Sequence, residues 1–345
     1  MSADQEWTEQ RDALLGRRIS ELGLAIRGTR VERLVHTLYQ ELADRGVRFR
    51  PPVYLSDQWG CPDGTPLIGV PFYLADPRLE RIESEMSFGV ESDAESMRYL
   101  RHEAGHAFNY AFQLYERPDW QELFGSFSRP YRERYRANPF SRDHVRHILT
   151  WYAQKHPDED FAETFAVWLT PDTDWRSEYA GWPALAKLEY TDRVMREIAN
   201  EEPTAPAPSE DDLPVESMRY SVAEHYEDAA ESVPIEDERQ FDVDLRQIFV
   251  RESEAPGGQA ADDFLRRHYR EIVGRVAFWT SEPPSVVRSL VDVLERRARA
   301  LKLRVGAVEA ATLIELTSFA TAVVMLYRQT HVMGRARRAR EVAAQ

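Results

Sequence analysis

His102-Glu103-Ala104-Gly105-His106 is the stretch from which the rest of the chain is read. On a helix the two histidines stand one turn apart on one face, so both imidazoles can reach a single metal ion. Glu103 lies beside them, where its carboxylate can act on a water held by that ion. Neutral nitrogen ligands, an open coordination position and a proton-accepting carboxylate are the parts of a hydrolytic zinc site. The flanking residues predict the helix itself. Ser92-Asp93-Ala94-Glu95 reads as a capping box, in which side chains satisfy the first free backbone N–H groups. Met97, Leu100, Ala104, Phe108, Ala111 and Phe112 then recur at helical spacing and form an apolar face. Gly105 weakens that helix by about 1 kcal/mol relative to alanine, a cost that a close-packed metal site tolerates.

A catalytic zinc ion needs a third protein ligand. The candidate segment runs from Tyr152 to Pro171, Tyr-Ala-Gln-Lys-His-Pro-Asp-Glu-Asp-Phe-Ala-Glu-Thr-Phe-Ala-Val-Trp-Leu-Thr-Pro. Pro157 suits the first turn of a helix, and Asp158, Glu159 and Asp160 suit its positive end. Pro171 closes the segment. Glu159 and Glu163 share a face, while Phe161, Phe165, Trp168 and Leu169 supply packing. One of the two glutamates can bind metal, and the other can accept a hydrogen bond from a ligand histidine. Asp158 and Asp160 point elsewhere and are expected to be solvated helix-start charges.

Together the two segments resemble the gluzincin-type metallopeptidases, in particular the bacterial zinc-binding metallopeptidases related to anthrax lethal factor and the Mlc titration factor. The resemblance covers roughly residues 20–200. In that group a catalytic tyrosine precedes the glutamate ligand by seven positions, and Tyr152 stands seven residues before Glu159. The resemblance therefore implies Zn2+ bound by His102, His106 and Glu159, with Glu163 orienting a histidine. It also implies Glu103 as general base and acid and Tyr152 as oxyanion stabiliser in peptide-bond hydrolysis. Counting from the Phe161-Ala162-Glu163 core alone would instead favour Glu163 as the ligand.

The chain has 345 residues, 43% of them hydrophobic, enough for two domains. The expected fold class is α+β. A zincin-like metallopeptidase domain with a small sheet and metal-binding helices is placed at 1–200. An acidic, partly disordered linker follows at 201–260, then a helical bundle-like region at 261–345. Residues 8–46 look helical with an interruption at Gly28, and residues 49–90 look like short β runs, among them Arg81-Ile-Glu-Ser-Glu-Met-Ser-Phe88. Helical patterns are expected over 262–280, 284–303 and 307–332. The net charge of −15 is concentrated in residues 201–260, which hold 17 Asp and Glu against 4 Arg.

One cysteine, Cys61, excludes an intramolecular disulfide framework and favours a reducing compartment. The amino terminus lacks a signal-peptide pattern, and the apolar stretch Ala307–Tyr327 carries Glu309 and Glu315, so it reads as a buried helix. A cytoplasmic setting is expected. Arg129, Tyr131, Arg132, Arg134, Tyr135, Arg136 and Arg142 form either a basic rim over the cleft or a solvated segment. His144 and His147 are expected to be a packed or surface pair rather than a second metal site. Cys61 reads as a turn residue, and the run Arg335–Arg340 as a solvated tail. The expected partners are a peptide or protein substrate and a protein contact through the carboxy-terminal helices, not a membrane and not nucleic acid. A zincin-fold regulatory or scaffold protein is the alternative function.

Overall fold

The computed structural model describes residues 3–86, 90–131, 135, 137–148, 151–203, 213–227, 237–280, 282 and 284–342. They divide into two compact units, Met1–Ser84 with Val90–Ala223, and Glu85–Gly89 with Glu224–Gln345.

The first unit opens with α1 (Ala3–Leu15) and α2 (Arg30–Asp44). Val31, Leu34, Leu38 and Leu42 recur along α2 at intervals of three and four residues and are all buried. Two short strands follow, β1 (Val53–Ser56) and β2 (Ile68–Pro71), paired in parallel with Val53 opposite Ile68. Gly60 bridges the other edge of β2 at Gly69. A side chain at Gly69 would stand 3.1 Å from the Ser56 Cβ, so the close approach needs glycine. The α+β class and the small sheet ahead of the metal helix are as expected.

One expectation for this region was wrong. In place of the β run expected from Arg81, residues up to Met86 belong to α3 (Pro77–Met86), with Leu79 and Ile82 buried. Pro77 starts that helix and the apolar pair is spaced by three, a helical period. The last two residues of the run lie outside the described residues.

The His102–His106 motif lies on α4 (Asp93–Ala111). Its capping box is formed, with the Glu95 amide donating to Ser92 Oγ at 3.3 Å and the Ser92 amide donating to Glu95 Oε2 at 2.8 Å. Arg101 ties α4 to α2 through a bidentate bond to Glu41 at 2.6 and 2.8 Å. After α5 (Pro118–Phe124) comes α6 (Pro157–Leu169), in which all 13 residues are buried. Proline occupies its first turn, as expected, and the His156 side chain caps it by accepting from the Asp158 amide. α7 (Trp175–Glu178) and α8 (Ala184–Glu197) complete this part, with the Trp168 indole donating to Asp192 on α8 at 3.1 Å.

α4 and α6 meet at Gly105. A Cβ there would fall 2.7 Å from Ala162 Cα and 3.1 Å from Phe165 Cβ. The glycine that weakens the helix therefore lets the two helices approach closely enough to share a site.

The stretch read as a linker contributes to both units. Val215, Met218 and Val222 are buried, and the Ile19 amide donates to Tyr220 O at 3.1 Å within the first unit. α9 (Val222–Glu227) spans the division. In the second unit α10 (Asp242–Ile248) supplies Leu245 to the core, with Phe241 and Phe249 at its ends. The rest of the acidic run, 204–212 and 228–236, lies outside the described residues.

α11 (Ala261–Arg267), α12 (Tyr269–Thr280), α13 (Pro284–Ala300) and α14 (Glu309–Val342) then form a bundle, with a two-residue antiparallel pair between β3 (Val250–Arg251) and β4 (Leu303–Arg304). α14 differs from the buried helix expected. Thr312, Leu316, Ala320 and Val324 form a buried stripe, whereas Ile314 is 66% and Leu326 62% exposed. The helix packs on α10, α12 and α13 along that one side. By length and composition, Glu309–Tyr327 is also apolar enough to cross a membrane. The side chains of Arg335–Arg340 lie outside the described residues.

Candidate metal centre

His102 and His106 project from the same face of α4, their ring centroids 4.8 Å apart. Glu159, in the first turn of α6, comes up beneath them. His102 Nε2 and His106 Nε2 are 3.1 Å apart, and Glu159 Oε2 lies 3.1 Å from the first and 3.2 Å from the second. With metal–ligand distances of about 2.0–2.1 Å, a tetrahedral zinc site sets its ligand atoms roughly 3.3 Å apart. The observed triangle is within 0.2 Å of that spacing. All three residues are buried, and among the described residues they form the group that could hold a metal ion. Two nitrogen donors and one carboxylate oxygen are also the right chemistry for zinc.

The outward nitrogens of both rings are held by carboxylates. His102 Nδ1 donates to Glu163 Oε1 at 2.9 Å, and the other oxygen of Glu163 accepts from the Ile148 amide at 2.8 Å. His106 Nδ1 donates to Asp158 Oδ2 at 2.9 Å. Asp158 is itself fixed by Asn109 Nδ2 at 2.7 Å and the Tyr110 hydroxyl at 2.6 Å. Such bonds fix each ring's tautomer and turn its Nε2 lone pair toward the centre.

Asp158 is thus a site residue that the sequence reading missed. It and Asp160 were expected to be solvated, yet they are 6% and 2% exposed. Asp160 pairs with Lys187 on α8 at 2.6 Å, and Lys187 also donates to Asp143 O at 2.6 Å. The signal was available in the composition of α6. Phe161, Ala162, Phe165, Ala166, Val167, Trp168 and Leu169 leave the helix no polar side, and a helix apolar all round is buried together with its acids.

Tyr152 follows Trp151, whose φ of 56° is a left-handed conformation uncommon for a side chain of that size. That bend starts the short 3-10 turn Tyr152–Gln154 and sets the Tyr152 ring 5.7 Å from the His102 ring. The Lys155 ammonium lies 3.4 Å from the Tyr152 hydroxyl. Tyr131, named earlier only as part of a basic segment, donates to Glu159 Oε1 at 2.5 Å, and its hydroxyl lies 3.3 Å from that of Tyr152. Of the arginines in that segment, Arg132, Arg134 and Arg136 lie outside the described residues. Arg142 stacks over Trp182.

His144 and His147 belong to no metal group among the described residues. His147 Nε2 donates to Arg98 O at 3.0 Å. Burial pushes both histidines down to about 4, which keeps them neutral. The Cys61 thiol donates to Thr65 O at 3.1 Å, as a turn residue would, and burial raises it well above the ordinary thiol range.

Residues 90–192 match the family described as "Putative zinc-binding metallo-peptidase". The match covers under a third of the chain. It spans α4 to α8 and contains His102, Glu103, His106, Tyr152, Asp158, Glu159 and Glu163. No curated protein and no solved structure matches the chain.

The electrostatics of this segment are those of a cation site. Burial alone would depress His102, but hydrogen bonds to Glu159 and Glu163 overcome it and raise the ring to about 9. His106 is likewise buried, and Asp158 and Glu159 raise it. Burial pushes Glu159 up, but the two histidines more than reverse this and hold it well below the usual carboxylate range. A bound cation would supply the positive charge that these carboxylates demand and would displace any proton held on the inward nitrogens. Glu103 is the exception. It is 7% exposed, and burial raises its carboxyl against the pull of both histidines.

Proposed function

We propose that the chain is a zinc-dependent peptidase of the gluzincin type, acting on a peptide or protein substrate in a reducing, cytoplasmic setting. The observation that carries this reading is the His102, His106 and Glu159 triangle with Glu103 buried beside it on α4. Zinc held there would act as a Lewis acid and bring the pKa of a bound water to about 7.

Glu103 is the proton carrier. Its carboxylate takes a proton from the attacking water and returns it to the leaving amine. Burial raises its carboxyl, which favours the protonated form that returns the proton to the amine. The Tyr152 hydroxyl donates to the oxyanion that develops on the substrate carbonyl, and burial first of all keeps that phenol protonated. Glu163 and Asp158 hold the imidazoles in place. α4 and α6 exclude solvent from behind the site.

The test is metal analysis and cleavage of a mixed-sequence peptide library by the purified chain and two variants. About one zinc per chain is expected in the wild type and in Glu103→Gln, with hydrolysis lost only in the variant. Tyr152→Phe is expected to keep zinc and lose turnover by about 100-fold, the loss typical of one removed oxyanion donor. Normal turnover by Glu103→Gln would overturn the mechanism.

A second reading, a zincin-fold protein that binds a partner through its carboxy-terminal helices, draws on exposed Ile314, Met325 and Leu326 of α14. Pure binding gives no use to a buried Glu103.

A further inference from the structure

The metal ligand Glu159 has two carboxylate oxygens, and only Oε2 faces the histidines. The other, Oε1, accepts from the Tyr131 hydroxyl at 2.5 Å. Tyr131 comes from the segment between α5 and α6 and is 50% exposed, unlike the buried groups that surround the rest of the centre. Its position is nevertheless determined. The Lys155 ammonium lies 4.3 Å from the centre of its ring, and the His156 ring packs against it at 5.4 Å. His156 also donates from Nε2 to Arg129 O at 2.7 Å, which pins the chain two residues before Tyr131 to the start of α6.

We propose that Tyr131 is a positioning residue of the metal centre. By holding Oε1 of Glu159, it leaves Oε2 as the one oxygen this carboxylate offers to the ion, and it fixes the side chain's rotation. A glutamate free of that bond could turn both oxygens inward and chelate the ion. That would fill the coordination position a hydrolytic site has to keep open. Tyr131 therefore does for Glu159 what Glu163 does for His102 and Asp158 does for His106, and the three protein ligands each have a hydrogen-bonded support. The inference rests on the metal reading above but not on peptide hydrolysis.

The experiment is competition for Zn2+ between a chelator and the full-length chain, wild type against Tyr131→Phe. Visible absorption of the Co2+-substituted forms is recorded in parallel. Phenylalanine keeps the ring that packs on Lys155 and His156 and removes only the hydroxyl. The expected result is about 10–100-fold weaker zinc binding, the usual cost of losing such a support. The cobalt spectrum should lose intensity as the coordination number rises. Zinc affinity and cobalt spectrum both unchanged would overturn the inference while leaving the peptidase reading standing. An unchanged affinity with faster cleavage would make Tyr131 an obstruction to substrate and would also overturn it. Weaker metal binding in a chain that cleaves nothing would support the role of Tyr131 and sink the peptidase assignment. No zinc binding by the wild type would overturn both.

Discussion

At the scale of single residues, the centre is a set of paired obligations. Each imidazole offers Nε2 inward only because a carboxylate holds Nδ1, so Asp158 matters to His106 as Glu163 does to His102. Replacing Asp158 by alanine is expected to weaken zinc binding by about 10–100-fold, measured by chelator competition, with the helix content unchanged. An unaltered affinity would reduce Asp158 to a cap for Asn109 and Tyr110. The shared face of His102 and His106 was legible in the sequence because residues one turn apart on a helix are neighbours, whereas the choice of Glu159 over Glu163 rested on the family resemblance. Tyr131 was not legible. It lies 28 residues from Glu159, in a stretch without helical or strand period, and only the folded chain brings the two together. Asp158 was misread for a different reason, since a charge at a helix start is solvated only when the helix end itself is.

The elements carry the site through one contact, that of α4 with α6. Gly105→Ala should favour α4 as an isolated helix by about 1 kcal/mol, yet its Cβ would sit 2.7 Å from the backbone of Ala162. Overpacking of that kind typically costs about 1–3 kcal/mol, and here the obstacle is backbone that no side-chain rotation can move. The variant is expected to melt at lower temperature than the wild type and to bind zinc more weakly. A variant as stable and as zinc-competent as the wild type would show that the interhelix gap is adjustable. α4 and α6 could be read from caps, proline placement and apolar period, because those signals are local. α3 could not be told from a strand, since Arg81-Ile82-Glu83 alternates as a strand would and its helical partner Leu79 lies outside the run. α14 showed its apolarity in composition but not its sidedness, which only its neighbours α10, α12 and α13 decide.

At the scale of the whole molecule, the acidic composition of residues 201–260 concealed two anchors. Val215, Met218 and Val222 pack into the first unit, and Phe241, Leu245 and Phe249 into the second. A chain ending at residue 223 is therefore expected to keep zinc and peptide cleavage. One ending at residue 200 should be less stable, because it uncovers the apolar surface that those three side chains bury. Thermal melts and metal analysis of the two truncations test this, and equal stability would return the stretch to a passive linker. The three candidate ligands lie on two helices separated by a long excursion of the chain, from His106 to Glu159. A cation that joins them binds the folded form and finds no such triangle in the unfolded one. By mass action, each tenfold rise in free zinc above the dissociation constant adds about 1.4 kcal/mol to stability. The melting temperature in zinc-buffered solution should climb steadily with free zinc, and Glu159→Ala should abolish the climb. Resistance of this protein to unfolding, and hence to cellular degradation, would then follow the supply of a trace nutrient.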